Sequence, residues 1–253
     1  SVWTGACGGC CLEGPHMYKR EGTYYLMAAE GGTSYNHAVM IAASDKITGP
    51  YDSNPRNPIL TSRHLSKDNW VHSTGHADLV NVSDGRWFMV ALGKRGDEQR
   101  ESNMGRETHL IPISWEKATV RWQQVSDNEW VPITYDFPIG APETGKVERI
   151  NPMPFMQTRQ YQKDAFNDHF DESSLNLEWN FRRVPQANTF SLAARSGHLR
   201  LYAKPEVIEN RVQASLMGFR QRESDFEYTA SIYYQPKKEG EEAGMSLFQK
   251  DNN

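Results

Sequence analysis

Residues 16–44, HMYKREGTYYLMAAEGGTSYNHAVMIAAS, decide the fold of the N-terminal half of the chain. Two apolar and aromatic segments flank a Glu-Gly dipeptide, a spacing that predicts a tight β-hairpin. A Glu-Gly-Gly-Thr-Ser turn and a third apolar segment follow directly. The stretch therefore predicts consecutive antiparallel strands with no helix between them.

The same alternation of short β-type segments and turns continues to about residue 135. The later segments are ADLVNV, RWFMVALG, THLIPISW and TVRWQQV, separated by turn signals such as VSDG and KRGDEQRESN. No helical periodicity of 3.6 residues interrupts them. Short antiparallel strands grouped in fours favour a β-propeller over a sandwich, and we expect residues 1–135 to form about three blades of one.

The C-terminal half has a different organisation. Residues 136–163 contain prolines without sustained alternation, which predicts a linker. Residues 164–253 show the strand and turn spacing of a β-sandwich, with DFEYTASIYYQP and AGMSLFQK among its expected strands. The pattern stops in its middle at FQKDNN, so we expect either a fragment or a fold completed by strands from elsewhere.

Composition and charge exclude several classes of function. The 28 Lys and Arg residues are outnumbered by 32 Asp and Glu residues and form no basic stripe, which argues against a nucleic-acid partner. The apolar runs are far shorter than the roughly 20 residues of a membrane span, so we expect no such span. Aromatic residues make up 11% of the chain, and exposed aromatic rings can stack on sugar faces.

The three cysteines, Cys7, Cys10 and Cys11, fall within five residues. A Cys-x-x-Cys pair is half of a structural zinc site, but no second pair follows, and His16 and His37 lack the usual ligand spacing. We therefore expect small, buried or partly buried residues in a glycine-rich turn, with a zinc site as the weaker alternative.

Glu13 precedes Gly-Pro and leads into the first predicted strand. A stiff turn of this kind suits a general acid, which must be held rigidly, although an acidic residue beside Gly-Pro is also common in ordinary turns. Two further motifs, STGHADLV at residues 73–80 and MGRETHL at residues 104–110, place an imidazole or a charged group after a glycine at the start of a strand.

Taken in order, the motifs LEGPH, GGTSYNHAV, NPILTSR, TGHADLV and GRETHL resemble glycoside hydrolase family 43. The nearest resemblance is to its two-domain β-xylosidases and α-L-arabinofuranosidases, in which a five-bladed β-propeller precedes a β-sandwich. The later FDESSLNLEWNFRRVP, SGHLRLYA and GFRQR resemble that sandwich. The resemblance implies an all-β chain that carries the C-terminal blades of a five-bladed propeller and a truncated sandwich.

The resemblance also implies roles for individual residues. Glu13 corresponds to the general acid, His76 to the histidine near a bound calcium or its waters at the propeller centre, and Arg106 to the arginine that contacts the sugar. Without the family, a core imidazole for His76 and a surface ion pair with Glu107 for Arg106 would be preferred. For four other residues of these motifs we expect roles in shaping the pocket: Glu30, Thr33, His37 and Asp78.

The implied mechanism is hydrolysis with inversion, which needs a carboxylate base opposite the acid. In the family this base and a second aspartate lie before the EGPH motif, and here no aspartate precedes Glu13. Asp45 and Asp78 would be peripheral in the family fold. We therefore expect the base to come from a missing N-terminal segment or a second chain.

The expected substrates are xylo-oligosaccharides or arabinoxylan, from which the enzyme would remove xylose or arabinofuranose. The alternative is a carbohydrate-binding protein without turnover. No cofactor other than calcium is implied, and the resemblance weakly favours an exported protein.

Overall fold

The computed structural model describes residues 2–5, 10–66, 68–96, 101–155, 165–209 and 212–249. These residues form strands, turns and irregular segments without a helix, so the predicted all-β class is confirmed. Consistent with this, none of the described segments forms a helix long and apolar enough to span a membrane. The chain divides into two compact units, Ser1–Gln160 and Tyr161–Asn253, and the division falls within the predicted linker.

The first sheet contains five antiparallel strands of the N-terminal unit. They are β1 (Glu13–Arg20), β2 (Thr23–Glu30), β3 (Ala38–Ser44), β4 (Asp52–Ser53) and β5 (Leu60–Thr61). The order is β1-β2-β3-β4, and β5 also pairs with β3. Glu21 and Gly22 both have positive φ, as a two-residue hairpin turn matched to the strand twist requires. The predicted hairpin is therefore confirmed.

The second sheet contains four antiparallel strands in sequence order. They are β6 (Val71–Asn81), β7 (Trp87–Arg95), β8 (Glu107–Ser126) and β9 (Glu129–Gly140). The described part of the N-terminal unit thus holds two sheets, where the sequence suggested about three blades. The difference arises because the segments from THLIPISW onward extend one hairpin instead of starting a new sheet.

Two features of that hairpin were not predicted. THLIPISW and TVRWQQV belong to one 20-residue strand, β8, whose pairing with β9 shifts register between Thr119 and Arg121. β9 runs into the segment that the sequence marked as a linker, and it contains Pro132 and Pro138. β9 is an edge strand, so it has a neighbouring strand on one side only. A proline is tolerated there because its missing N–H can face the side without a neighbour, where no hydrogen bond is needed.

The core of the N-terminal unit draws on both sheets. β3 is buried along its whole length because it is central in its sheet and packs against the second. Tyr25 from the first sheet and Phe137 from the second are nearly inaccessible, and their rings meet edge to face at 6.2 Å. The Tyr25 hydroxyl donates to the Asp136 carbonyl at 2.7 Å, which satisfies a polar group that burial would otherwise penalise.

His109 on β8 packs edge to face against Trp70, with ring centroids 5.6 Å apart. Burial lowers the pKa of His109, and the same is true of His37. Because the unfolded chain then binds protons that the folded chain does not, the free energy of unfolding should fall as pH drops below about 6.5, by up to roughly 1.4 kcal/mol per pH unit for each proton. We expect urea unfolding between pH 5 and 8 to show a shallower dependence in His109→Gln.

His64, which is exposed, provides the matched control. His64→Gln should keep the pH dependence of the wild type. Equal slopes for the wild type and His109→Gln would contradict a neutral, half-buried His109.

The C-terminal unit has little regular structure among its described residues. Four short strands form two antiparallel pairs, β10 with β13 and β11 with β12; they are β10 (Trp179–Phe181), β11 (Phe190–Ser191), β12 (Arg200–Leu201) and β13 (Met217–Phe219). Rings of Phe166, Trp179 and Phe219 pack together beside β10 and β13.

The strands expected from DFEYTASIYYQP and AGMSLFQK are not formed in residues 225–249. Their alternating apolar side chains, such as Phe226 and Ile232, are exposed. A strand is stabilised by backbone pairing and by burial of one face, and neither is present here. The expectation of strands in this segment is therefore wrong for this chain as described.

Candidate active site

Glu13 is the first residue of β1, at the end of the first sheet. It pairs with Ala29, and the register of β1 shifts between Glu13 and His16. Gly14 has φ of 56°, a left-handed conformation that a side chain would strain. This irregular start turns the exposed Glu13 carboxylate away from the regular pleat and toward the second sheet, where His76 lies.

His76 lies in an irregular part of β6. Ser73 and His76 both have positive φ, and the pairing of β6 with β7 shifts twice between His72 and Asp78. Such bulges re-aim side chains next to functional sites. The Nδ1 atom of His76 lies 3.5 Å from Oε1 of Glu13, and a Cβ on Gly14 would be 2.5 Å from Nε2 of His76. The glycine of the EGPH motif is thus needed for the imidazole to approach.

His37 ends the turn between β2 and β3 and is completely buried. Its Nδ1 atom is 3.0 Å from the Ser73 carbonyl oxygen, and since that oxygen only accepts, Nδ1 carries the proton. Nε2 of His37 therefore has a free lone pair, and it has no hydrogen-bond partner among the described residues. A Cβ on Gly75 would lie 2.6 Å from the His37 ring. The glycine of the GHAD motif therefore allows the His37 imidazole to lie close to the backbone of β6.

The pKa of His37 is lowered, chiefly by burial. The hydrogen bond to Ser73 and the negative charge of Glu13 raise it, whereas electrostatic interactions with His76 and Arg106 lower it. His37 is therefore neutral at neutral pH, and its Nε2 atom is a hydrogen-bond acceptor. The same balance shows that Glu13, His76 and Arg106 all lie close enough to His37 to act on its charge.

Glu13, His37 and His76 form one cluster in which a ligand atom from each residue lies within 4.8 Å of the others. Calcium takes about 6–8 oxygen ligands, whereas this trio offers one carboxylate and two imidazoles, a donor set typical of zinc and other transition metals. The trio by itself does not fit calcium. Calcium near His76 stays a prediction that requires oxygen ligands from outside the trio.

Arg106 directly precedes β8 and is exposed. The alternative of an ion pair with Glu107 is not what the structure shows, because Glu107 instead accepts two hydrogen bonds from Arg95 at 2.7 and 2.8 Å. With Glu107 engaged by Arg95, the charge of Arg106 still acts on His37, whose pKa it lowers. The structure thus brings Arg106 near the cluster of Glu13, His37 and His76.

The other motif residues have mainly structural contacts. Asp78 is exposed and accepts from the Tyr18 hydroxyl at 2.9 Å, and its Oδ1 lies 2.8 Å from Nδ1 of His16, so it ties β1 to β6. Glu30 is buried at the end of β2, and Thr33 is exposed in the following turn. His37 was expected only to shape the pocket, and its membership of the cluster with Glu13 and His76 was not predicted. Its position between a glycine-rich turn and an entirely apolar strand is the signal that could have found it.

The cysteines differ from the expectation. Cys10 and Cys11 are exposed rather than buried, because they precede β1 at the surface. Cys7 lies outside the described residues. The cluster of described residues that could hold a metal ion contains no cysteine, so it does not support the alternative of a zinc site built on the cysteines.

Comparison with known proteins agrees with these motifs. The family model "Glycosyl hydrolases family 43" matches residues 1–120, and "Beta xylosidase C-terminal Concanavalin A-like domain" matches residues 167–253. The chain belongs to glycoside hydrolase family 43. The resemblance inferred from the EGPH, GHAD and GRET motifs is therefore confirmed.

Named relatives in family 43 act on xylosides and arabinosides. A non-reducing end alpha-L-arabinofuranosidase of Bacteroides ovatus is 34% identical over 246 residues, which are 97% of this chain and 43% of that protein. A xylosidase/arabinosidase of Butyrivibrio fibrisolvens is 34% identical over 256 residues, with 100% and 46% covered. The chain thus spans less than half the length of these relatives.

The fold also matches solved family 43 structures. A xylan beta-1,4-xylosidase from Bacillus halodurans superposes with a TM-score of 0.73 at 29% identity, covering 88% of this chain and 39% of that one. The relatives are propeller and sandwich proteins of the predicted class. Two sheets of this chain, the first containing β1 and β2 and the second β6 and β7, supply its candidate site.

Proposed function

We propose that this chain supplies the acid half of the active site of an inverting glycosidase. The enzyme removes xylose or arabinofuranose from the non-reducing ends of xylo-oligosaccharides or arabinoxylan. The observation that carries the proposal is that ligand atoms of Glu13, His76 and His37 lie within 4.8 Å of one another, where the irregular start of β1 approaches the irregular middle of β6. The names of the relatives support the substrate class.

Glu13 is the general acid in this proposal. Its carboxyl proton passes to the glycosidic oxygen as the bond to the sugar breaks, so the leaving group departs as a neutral alcohol. His76, with Nδ1 at 3.5 Å from Oε1 of Glu13, positions that carboxyl group. His37, held by Ser73 and completely buried, does not contact the sugar in this proposal and instead supports the arrangement of Glu13 and His76.

The base belongs to residues outside this chain in our proposal. An inverting site places the two carboxyl groups about 6.5–9.5 Å apart, so that a water molecule fits between the base and the sugar. Asp78 is unsuited to this task, because its Oδ1 is engaged by His16 and Tyr18 between β1 and β6. We infer that the remaining carboxylate comes from a preceding segment or from a second chain.

A second candidate is a carbohydrate-binding protein without turnover. The exposed aromatic side chains Trp122 and Trp130 on the β8–β9 hairpin would suit sugar contact in such a protein.

The experiment that tests the proposed function measures release of 4-nitrophenol from the β-D-xyloside and the α-L-arabinofuranoside. It compares this chain with the full product of its gene, called the complete polypeptide below. We expect turnover in the complete polypeptide, with the inverted anomer detected first by proton NMR. Retention of the anomer would contradict the mechanism, and sugar binding without any turnover would favour the second candidate.

Arg106→Ala is expected to raise KM for these substrates by about 10–100-fold, because hydrogen bonds from a charged donor contribute roughly 1.5–3 kcal/mol. The KM of Arg106→Lys should lie between those of the wild type and Arg106→Ala, since lysine retains the positive charge but lacks the planar guanidinium. Arg121 pairs with Asp52 away from the cluster, at 3.0 Å, and Arg121→Ala is the control. Steady-state kinetics that leave KM of Arg106→Ala unchanged would contradict a role in sugar contact.

A further inference from the structure

Cys10 and Cys11 form an exposed pair of thiols directly before the candidate acid. Their sulfur atoms are 2.7 Å apart, and the Cys11 thiol donates to the Cys10 sulfur. Cys11 has φ of 66°, so the backbone turns at this residue. One atom with affinity for sulfur can therefore reach both thiols from solvent.

The pair is fixed to the turn between β2 and β3. The Gly31 amide donates to the Cys10 carbonyl at 2.8 Å, and a Cβ on Gly32 would lie 3.6 Å from the Cys11 sulfur. That turn leads to His37, and Glu13 follows Cys11 by two residues. A ligand bound to the two sulfurs would thus displace the start of β1 and the β2–β3 turn, which carry Glu13 and His37 of the cluster.

We propose that Cys10 and Cys11 are a binding site for thiophilic ligands of the trivalent arsenical class, and that an occupied site impairs the neighbouring acid. Both thiols are exposed, and soft sulfur ligands select soft atoms. With phenylarsine oxide as the probe, two As–S bonds form, the As–O bond breaks, and both thiol protons leave with the oxygen as one water molecule. No oxidation or reduction takes place.

The first test is intact-mass spectrometry of the native chain with phenylarsine oxide, followed by a wash with a monothiol. We expect one retained phenylarsine per wild-type chain, removed by 2,3-dimercaptopropanol, because a monothiol competes poorly with a chelating pair. Cys10→Ser and Cys11→Ser should each lose the adduct, and Cys7→Ser should retain it. Retention in either of the first two variants, loss in Cys7→Ser, or no adduct in the wild type would overturn the proposal.

The second test addresses the effect on Glu13 and rests on the proposed function. In the complete polypeptide, phenylarsine oxide should lower turnover of the 4-nitrophenyl glycoside by about 10-fold or more, and should leave the Cys10→Ser/Cys11→Ser double variant unaffected. An adduct without loss of turnover, or equal inhibition of the double variant, would contradict the effect on the acid. Absence of any turnover would count against the proposed function, while the mass measurement still decides the binding site.

Discussion

Glu13→Gln is expected to lower turnover of the preferred 4-nitrophenyl glycoside by about 10²–10⁴-fold in the complete polypeptide, the range typical of a lost general acid. Glutamine preserves the shape of the side chain and its contact with His76, but it has no acidic proton to give. KM should change little, because the sugar contacts remain. The measurement is steady-state kinetics on both variants at the same pH.

Glu21 provides the matched control for this substitution. It lies in the β1–β2 turn, where its carboxylate pairs with Arg20 at 2.8 Å. Glu21→Gln should therefore leave turnover unchanged. Full activity in Glu13→Gln would show that another group protonates the leaving oxygen.

Gly14→Ala is the second substitution with a large expected effect. The new methyl group would lie 2.5 Å from Nε2 of His76, a distance at which something must move, and the left-handed φ of 56° adds backbone strain of about 1–3 kcal/mol. Displacement of the imidazole beside Glu13 should lower turnover by roughly 10²-fold. The free energy of unfolding and the turnover are both measured, because backbone strain lowers the stability whereas displacement of His76 lowers the turnover.

Gly22→Ala separates strain from displacement. Gly22 has φ of 87°, and a Cβ added there would meet no atom within 4 Å, so its substitution adds strain alone. We expect both variants to lose stability and only Gly14→Ala to lose turnover. Equal turnover in the two variants would mean that the position of His76 is unimportant for activity.

Much of the N-terminal fold follows from local sequence signals. The Glu-Gly turn and its flanking apolar segments predict the β1–β2 hairpin because a two-residue loop with positive φ is a local property. β9 was missed because prolines normally exclude a strand, and only its place at the sheet edge makes them acceptable. That place depends on the order of the strands, which no local signal shows.

The candidate site could likewise be predicted only in part, because some of its contacts depend on tertiary structure and not on local sequence. Ordered motifs pointed to Glu13, His76 and Arg106, and the structure places His76 3.5 Å from Glu13 and Arg106 close enough to lower the pKa of His37. His37 could not be assigned by spacing, because its relation to the other residues depends on bulges in β6 and on the absence of a side chain at Gly75. These are tertiary features that the separate motifs do not encode.

The measurement that tests the central claim most directly is the dependence of turnover on the leaving group. Aryl glycosides of the preferred sugar, from 2,4-dinitrophenol to unsubstituted phenol, differ in how much protonation the departing oxygen needs. If Glu13 is the general acid, Glu13→Gln should approach wild-type turnover with 2,4-dinitrophenol and fall further behind with each more basic phenol. An equal loss across the whole series would contradict the assignment of Glu13 as the acid.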